Sequence, residues 1–274
     1  MLSRRSAIET GQAFQPSRRW GKLHRMATDC IWGCGRPADS NEDVLAEWIR
    51  EYLGAKQGRK KWELRDLSPP HRPSVNNPRP GRGQGFRVRA DNIVCETCNN
   101  GWMSVLQNES KPLLLQMFDG EPLSLMPTAQ DALLRWSTMT SICHQYASGE
   151  TVETYRRTFF YEHRTPPPHT EVHLAHLPTP DMDTVFSAAR YRSKYDQKPF
   201  VYIDVFSVRQ LAMLILQGQL PPWSRNILDQ SAGSLLSLRS PVSMAPQPWP
   251  PSPSTSDDLY ALADALLVKP STDR

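Results

Sequence analysis

The chain has 274 residues, 39% of them hydrophobic and 22% charged, with a formal net charge of +4 at pH 7. That is enough apolar material for one large packed domain or two modest ones. No apolar run approaches the roughly 18 residues of a membrane span, and the first residues lack the apolar stretch of a secretory signal, so a cytoplasmic location is expected.

Residues 1–25 carry six basic residues against Glu9 alone and show no apolar periodicity, which reads as a disordered basic arm. Met26 is an alternative start of translation. Residues 26–110 form the first expected domain. Within it Val44, Leu45, Trp48, Ile49, Tyr52 and Leu53 recur at helical spacing, which predicts an amphipathic helix over residues 42–53 with Ser40 as its N-cap. Residues 56–85 are broken by Pro69, Pro70, Pro73, Pro78 and Pro80 and read as an exposed loop. From Lys56 to Arg89 ten basic residues, Arg59, Lys60, Lys61, Arg79, Arg82, Arg87 and Arg89 among them, face only Glu63 and Asp66, a net +8. The arm adds a net +5, so everything else sums to −9. Basicity confined to two segments is the pattern of local phosphate contacts, and two solvated charge runs are the plain alternative.

Phe86, Arg87, Val88 and Arg89 alternate apolar and basic residues, which predicts a short strand running toward Cys95. Beyond Cys98, the residues Trp102, Val105 and Leu106 suggest a helix that ends before Pro112. Residues 111–240 read as an α+β extension. Leu133, Leu134, Trp136, Met139 and Ile142 supply one face of a helix over residues 129–146, and strands are expected at 155–161, 171–177, 184–188 and 200–206. Residues 208–217 resemble a helix closed by Gly218. Pro and Ser dominate residues 241–253, so 241–256 is expected to be a linker. In the tail, 257–274, Leu259, Leu262, Ala263, Leu266 and Leu267 form one helical stripe that would dock on the body or on a protein partner.

Five cysteines are too few for a disulfide-stapled scaffold. Four of them form close pairs, Cys30 with Cys34 and Cys95 with Cys98, and two such pairs are the ligand spacing of a closed zinc site; plain buried thiols are the alternative. Four thiolates leave no coordination position for water, so this zinc would be structural rather than catalytic. Cys143 is left over and reads as a small buried hydrophobe.

The run Asn92-Ile-Val-Cys95-Glu-Thr-Cys98-Asn-Asn-Gly-Trp102-Met103, preceded by Cys30, Cys34 and Ser40-Asn-Glu-Asp-Val-Leu-Ala-Glu-Trp48, resembles the HNH endonuclease superfamily. The likeness is to a bacterial branch with Cys-x-x-Cys, then Glu-His-Val before a Trp-bearing helix, then Cys-x-x-Cys-Asn-Asn-Gly-Trp-Met, and it covers roughly residues 30–106. It implies an α+β fold in which a zinc-knuckle, ββα-metal-like N-terminal core precedes a mixed helix and strand extension. It further implies a structural zinc on the four cysteines, a catalytic Mg²⁺ or other divalent cation, and nucleic acid, in the first instance double-stranded DNA, as substrate. By position, Glu42 falls on the acidic residue before the base, Asn92 on the middle Asn, and Asn99 or Asn100 on the last Asn. Trp102 would pack beneath the knuckle.

Two departures stand out. The first cysteine pair has three intervening residues, and the position of the catalytic His holds Asp43. A carboxylate with an ordinary pKa near 3.9, against about 6.5 for His, is a weak base at neutral pH, and loss of a general base costs roughly 10²- to 10⁴-fold in rate. Asp43 also suits position N3 of the predicted helix, and both readings stay open. His71 in the basic loop is either a replacement base or a solvated loop residue. His169, His173 and His176 read as surface histidines on a strand, with metal binding the alternative. Gly81, Gly83 and Gly85 open no predicted helix, so they form no phosphate-binding loop of the dinucleotide type.

Overall fold

The computed structural model describes residues 29–44, 46–56, 62–66, 89–147, 152–178, 184–192, 199–231 and 234–255, with single positions at 258, 261, 262 and 266. Its centre is a six-stranded sheet. In chain order the strands and helices are β1 (Ser40–Asp43), α1 (Glu47–Lys56), β2 (Trp62–Asp66), β3 (Arg89–Val94), α2 (Glu96–Cys98), a π-helical turn (Asn99–Met103), α3 (Ser104–Phe118), β4 (Leu123–Leu125), α4 (Pro127–Ala147) and α5 (Thr154–His163). There follow β5 (Thr170–His176), β6 (Thr184–Arg192), β7 (Pro199–Val208), β8 (Leu211–Gly218), α6 (Pro222–Gln230), β9 (Leu236–Arg239) and β10 (Gln247–Trp249).

The large sheet has the order β2-β6-β7-β8-β5-β9, antiparallel except for the β2–β6 pair. Alternation along its strands sends side chains to two separate cores. Leu211, Met213 and Ile215 join the larger core with Val172, Leu174 and Phe206, whereas Ala212, Leu214 and Leu216 join the smaller one with Val201, Ile203 and Val205. The larger core is roofed by α3, α4 and the cysteine knuckle, and it runs from Cys30 to Trp249. Leu228 of α6 and the C-terminal Leu262 and Leu266 close the smaller core. The fold is thus mixed, helices on both faces of a mainly antiparallel sheet.

Several sequence expectations are corrected. Residues 208–217 are not a helix: β8 is buried along its whole length between β7 and β5, and a continuous apolar run buried on both faces has no period that separates strand from helix. Residues 155–161 are not a strand: α5 buries Arg156 and Phe160 four residues apart and ends on Arg164 in the left-handed conformation. α3 does not stop before Pro112 but passes through it; the exposed position lets water take the carbonyl that lacks its helical donor. The expected exposed loop contains β2, which pairs with β6. Lys56 ends α1, while the other residues of that loop, and Phe86 to Val88 of the expected strand, lie outside the described residues, as do the arm, His71 and the three loop glycines. The expected linker packs: β10 pairs with β4, and Trp249 is buried in the larger core. Leu262 and Leu266 of the C-terminal stripe dock on the body.

The helix expected at residues 42–53 begins later, at Glu47, because residues 40–43 are taken by β1. Its apolar face survives: Trp48 stacks on Phe118 at 6.2 Å, Trp48 Nε1 donates to Gln107 Oε1 at 3.2 Å, and Tyr52 donates to Asp119 at 2.6 Å. These contacts lay α1 across α3. As expected, Cys143 is buried.

Candidate metal centre

The first two cysteines sit on a tight turn. The Cys30 amide donates to the Arg36 carbonyl at 2.8 Å and the Gly33 amide to the Cys30 carbonyl at 2.9 Å, with Gly33 and Gly35 both at positive φ. That conformation is open to glycine at no steric cost, which is how the turn accommodates its extra residue. The second pair opens a helix: Cys95 caps α2, its sulfur accepting the Cys98 amide at 3.3 Å. Two links fasten the turns together, the Ile31 amide to the Ile93 carbonyl at 2.8 Å and the Glu96 amide to Asp39 Oδ1 at 2.8 Å, and Arg36 adds a hydrogen bond to the Thr97 hydroxyl.

The result is that the sulfur atoms of Cys30, Cys34, Cys95 and Cys98 all lie within 4.8 Å of one another, from positions some 60 residues apart in the chain. With zinc–sulfur bonds of about 2.3 Å, a regular tetrahedron has sulfur–sulfur edges of about 3.8 Å. The cluster can therefore hold a metal ion such as zinc, and no other group of this kind occurs among the described residues. A hydrogen bond from Cys98 and amide donors from Cys95 and Trp32 hold Cys30 down to about 5, while the Cys98 thiol, donating to Cys30, is pushed up. Burial raises Cys34. Crowded, buried sulfur that shares its protons this way is relieved when a divalent cation compensates all four thiolates.

A shell of aromatic residues supports the knuckle. Trp32 is fully buried, donates to Met103 Sδ at 3.2 Å and meets Trp102 edge-on with centroids 5.0 Å apart. Phe160 lies 5.8 Å from Trp32 and 5.7 Å from Trp102. α5 contributes further: Arg157 donates to the Ile31 carbonyl at 2.5 Å, and Thr158 lies against Gly33. The bracing role of α5 was missed in the sequence, since a segment taken for a strand offers no helical face to place there.

The residues aligned with catalytic positions come from three adjoining elements. β1, which carries Glu42 and Asp43, runs antiparallel to β3, with Glu42 opposite Ala90 and Asp43 opposite Arg89. Asp43 therefore stands on a strand, not at N3 of a helix, and its capping reading falls. Asn92 is exposed, next to an irregularity in the β1–β3 register, at φ 52°. Asn99, on the turn after Cys98, donates its amide to Ser40 Oγ at 2.8 Å, and Asn100 donates to Glu96 at 3.4 Å. Of the expected nucleic-acid contacts, Arg89 lies on β3, whereas Arg59, Lys60, Lys61, Arg79, Arg82 and Arg87 lie outside the described residues.

The three histidines are not one surface group. His169 is exposed, His176 is hydrogen-bonded to Gln210 at 3.0 Å, and His173 is buried between Ser237 at 2.7 Å and Glu171 at 3.3 Å. His173 and His176 project from opposite faces of β5, as residues three apart on a strand must. Compared with family models, with curated proteins and with solved structures, the chain matches none of them.

Proposed function

We propose that this chain is an HNH-like, metal-dependent endonuclease that hydrolyses DNA phosphodiester bonds from a ββα-metal core braced by a structural zinc. The observation that carries the reading is the hydrogen bond from Asn99 to Ser40, which fastens the Asn-bearing turn after Cys98 to the strand that carries Glu42 and Asp43. β1 and β3 are antiparallel, and α2 and the Asn-bearing turn follow β3 directly, an order that supports the ββα reading; Glu42, Asp43, Asn92 and Asn99 are residue types rich in hard oxygen donors. Such donors suit Mg²⁺ or a similar divalent cation rather than zinc.

Glu42 and Asn92 would offer such oxygen atoms, and Asn99 ties its turn to Ser40 of β1. A divalent cation, if bound there, would supply positive charge to the phosphate and the leaving oxygen. Asp43 takes the place of the general base, so turnover is expected to fall roughly 10²- to 10⁴-fold below that of a His-bearing enzyme. Arg59, Lys60, Lys61, Arg79, Arg82, Arg87 and Arg89 supply phosphate contacts that position the duplex without reading its sequence.

A second reading is favoured by Asp43 itself together with the use of the Asn99 amide as a tie to Ser40: a zinc-dependent module that binds nucleic acid or a protein partner without cleaving. Plasmid nicking by the zinc-loaded chain with Mg²⁺, Mn²⁺ and Ni²⁺ separates the two. Slow nicking that Asp43→His accelerates supports the nuclease. A plasmid that is retained but left intact by the wild type under all three ions sinks it in favour of the binding module.

A further inference from the structure

Beside the knuckle the surface opens into a cleft of about 230 Å³ lined by Trp102, Val105, Leu106, Glu109, Phe160, Arg135 and Arg164. Its two cations are unlike. Arg135 is spent on Asp131 at 2.7 Å and Glu109 at 3.2 Å. Arg164 has no carboxylate partner among the described residues. Its guanidinium instead lies 4.4 Å from the ring centroids of both Trp102 and Tyr161 and donates to the Tyr161 carbonyl. A guanidinium has five N–H donors, and contact with two rings and one carbonyl leaves donors over for a ligand. Val105, on the same cleft, is 56% exposed, an apolar side chain left in water next to an aromatic wall.

An aromatic and apolar wall beside a cation with no carboxylate partner among the described residues matches a ligand that is planar and apolar at one end and anionic at the other. The geometry points to a subsite for one unpaired nucleotide of a nucleic-acid strand, its base against Trp102 and Val105 and its phosphate on Arg164. The volume lies below the range of about 300–1,000 Å³ typical of drug-sized ligands, and it suits one base with its sugar rather than a duplex. Stacking on an aromatic wall tolerates any base, so the subsite selects single strands without selecting sequence. This rests on the reading of the chain as one that acts on nucleic acid, and it adds a place for one unpaired nucleotide beside the duplex that reading assigns to the basic residues.

The test uses the full zinc-loaded chain without added divalent cations, so that binding is read apart from cleavage. Fluorescence anisotropy is measured with a short labelled oligothymidine and with a labelled duplex of mixed sequence. The variants are Val105→Glu, which places a carboxylate at an exposed position, and Arg164→Asn, which removes the charge but tolerates the left-handed backbone at residue 164. Zinc content is the check on folding. Each variant is expected to weaken oligothymidine binding by about tenfold, with duplex binding held within about twofold and zinc retained. Thymidine 5′-monophosphate should compete with the oligomer where inorganic phosphate at the same concentration does not. Oligothymidine bound equally by wild type and by Val105→Glu overturns the subsite, as does a wild type that binds duplex alone. An intact plasmid in the nicking assay, with these losses still seen, sinks the nuclease reading and leaves the subsite standing.

Discussion

Gly33 and Thr158 are in such close approach that a Cβ on the glycine would stand 2.7 Å from Thr158 Cγ2. The knuckle turn and α5 are thus fitted to each other at a position where φ is +71° and a side chain is strained even in open space. Gly33→Ala combines a left-handed backbone penalty of about 1–2 kcal/mol with overpacking of about 1–3 kcal/mol. The variant is expected to lose about 2–5 kcal/mol, read from urea unfolding of the zinc-loaded chain. Adding Thr158→Ser, which removes the methyl group, should return the overpacking part and leave the backbone part.

Removing the metal should unfold the knuckle outward from Trp32. A structural zinc contributes on the order of 10 kcal/mol of coupled folding free energy. Cys95→Ser, or chelation of the wild type, is expected to abolish zinc stoichiometry in metal analysis. It should also shift tryptophan emission to the red, because Trp32 is fully buried against the turn that Cys30 and Cys34 hold. Unchanged emission after complete zinc loss would show that the shell of Trp102 and Phe160 holds the turn unaided.

The cysteine cluster was legible in the sequence because each pair is a local signal, two thiols on one turn, and only the meeting of the pairs needed the fold. The start of α1 was not. Ser40 reads as an N-cap from its neighbours, yet its backbone pairs with Val94 across a long insertion, and a non-local ladder outweighs a local cap. α5 misled because Tyr, Thr and Phe are strand formers, whereas its helix is fixed by tertiary contacts of Arg157 and Phe160 with the knuckle. Trp249 was hidden in a segment whose Pro and Ser content signals a linker, and its burial depends on β4, over 120 residues earlier. The cleft at Arg164 left no trace, since its wall is assembled from three helices.

Asp204 is a buried carboxyl group served by donors from α4: Ser141, Gln145 at 2.9 Å and His144 at 3.1 Å, while Gln217 donates to Ser141 at 2.8 Å. Removing the acceptor strands several donors away from water. Asp204→Ala is expected to cost about 3–5 kcal/mol, and Asp204→Asn, which keeps one carbonyl oxygen, about 1–3 kcal/mol. Urea midpoints of the two variants check the order, which a merely space-filling role would not produce.

Asn92 separates chemistry from stability. At φ 52° an Asn is at ease, Gly is at no disadvantage and Ala is strained by about 1–2 kcal/mol. Asn92→Gly should therefore keep the unfolding midpoint close to wild type yet, on the proposed nuclease reading, lose nicking by at least about tenfold, whereas Asn92→Ala should lose both. Nicking by Asn92→Gly at the wild-type rate would confine Asn92 to a structural role.

Acid should weaken the fold in two stages set by neighbours on β5. Burial lowers His173, against an opposing hydrogen bond to Glu171, so the folded chain keeps it neutral. The Glu171 carboxylate lies 3.3 Å from Nε2, and Nδ1 shares a hydrogen bond with the Ser237 hydroxyl at 2.7 Å. Burial alone would raise Glu171, yet hydrogen bonds from His173 and Arg225 and the Arg225 charge hold its carboxyl well below the usual range. Arg225 reaches it at 2.5 and 2.9 Å and Arg239 at 3.0 Å. An unfolded His takes up a proton near pH 6.5, and the folded one does so only at lower pH, so stability falls as pH drops below about 6.5, by at most about 1.4 kcal/mol per pH unit. Glu171, depressed in the fold, contributes stability that is complete above its unfolded value of about 4.3 and is lost as pH falls toward its folded value. Urea midpoints measured from pH 8 to pH 3 should show the first slope beginning near 6.5 and a second below about 4.5. His173→Asn should flatten the first and Glu171→Gln the second. A wild-type profile that stays level between pH 7 and pH 5 would mean that His173 takes up its proton without leaving its place between Ser237 and Glu171.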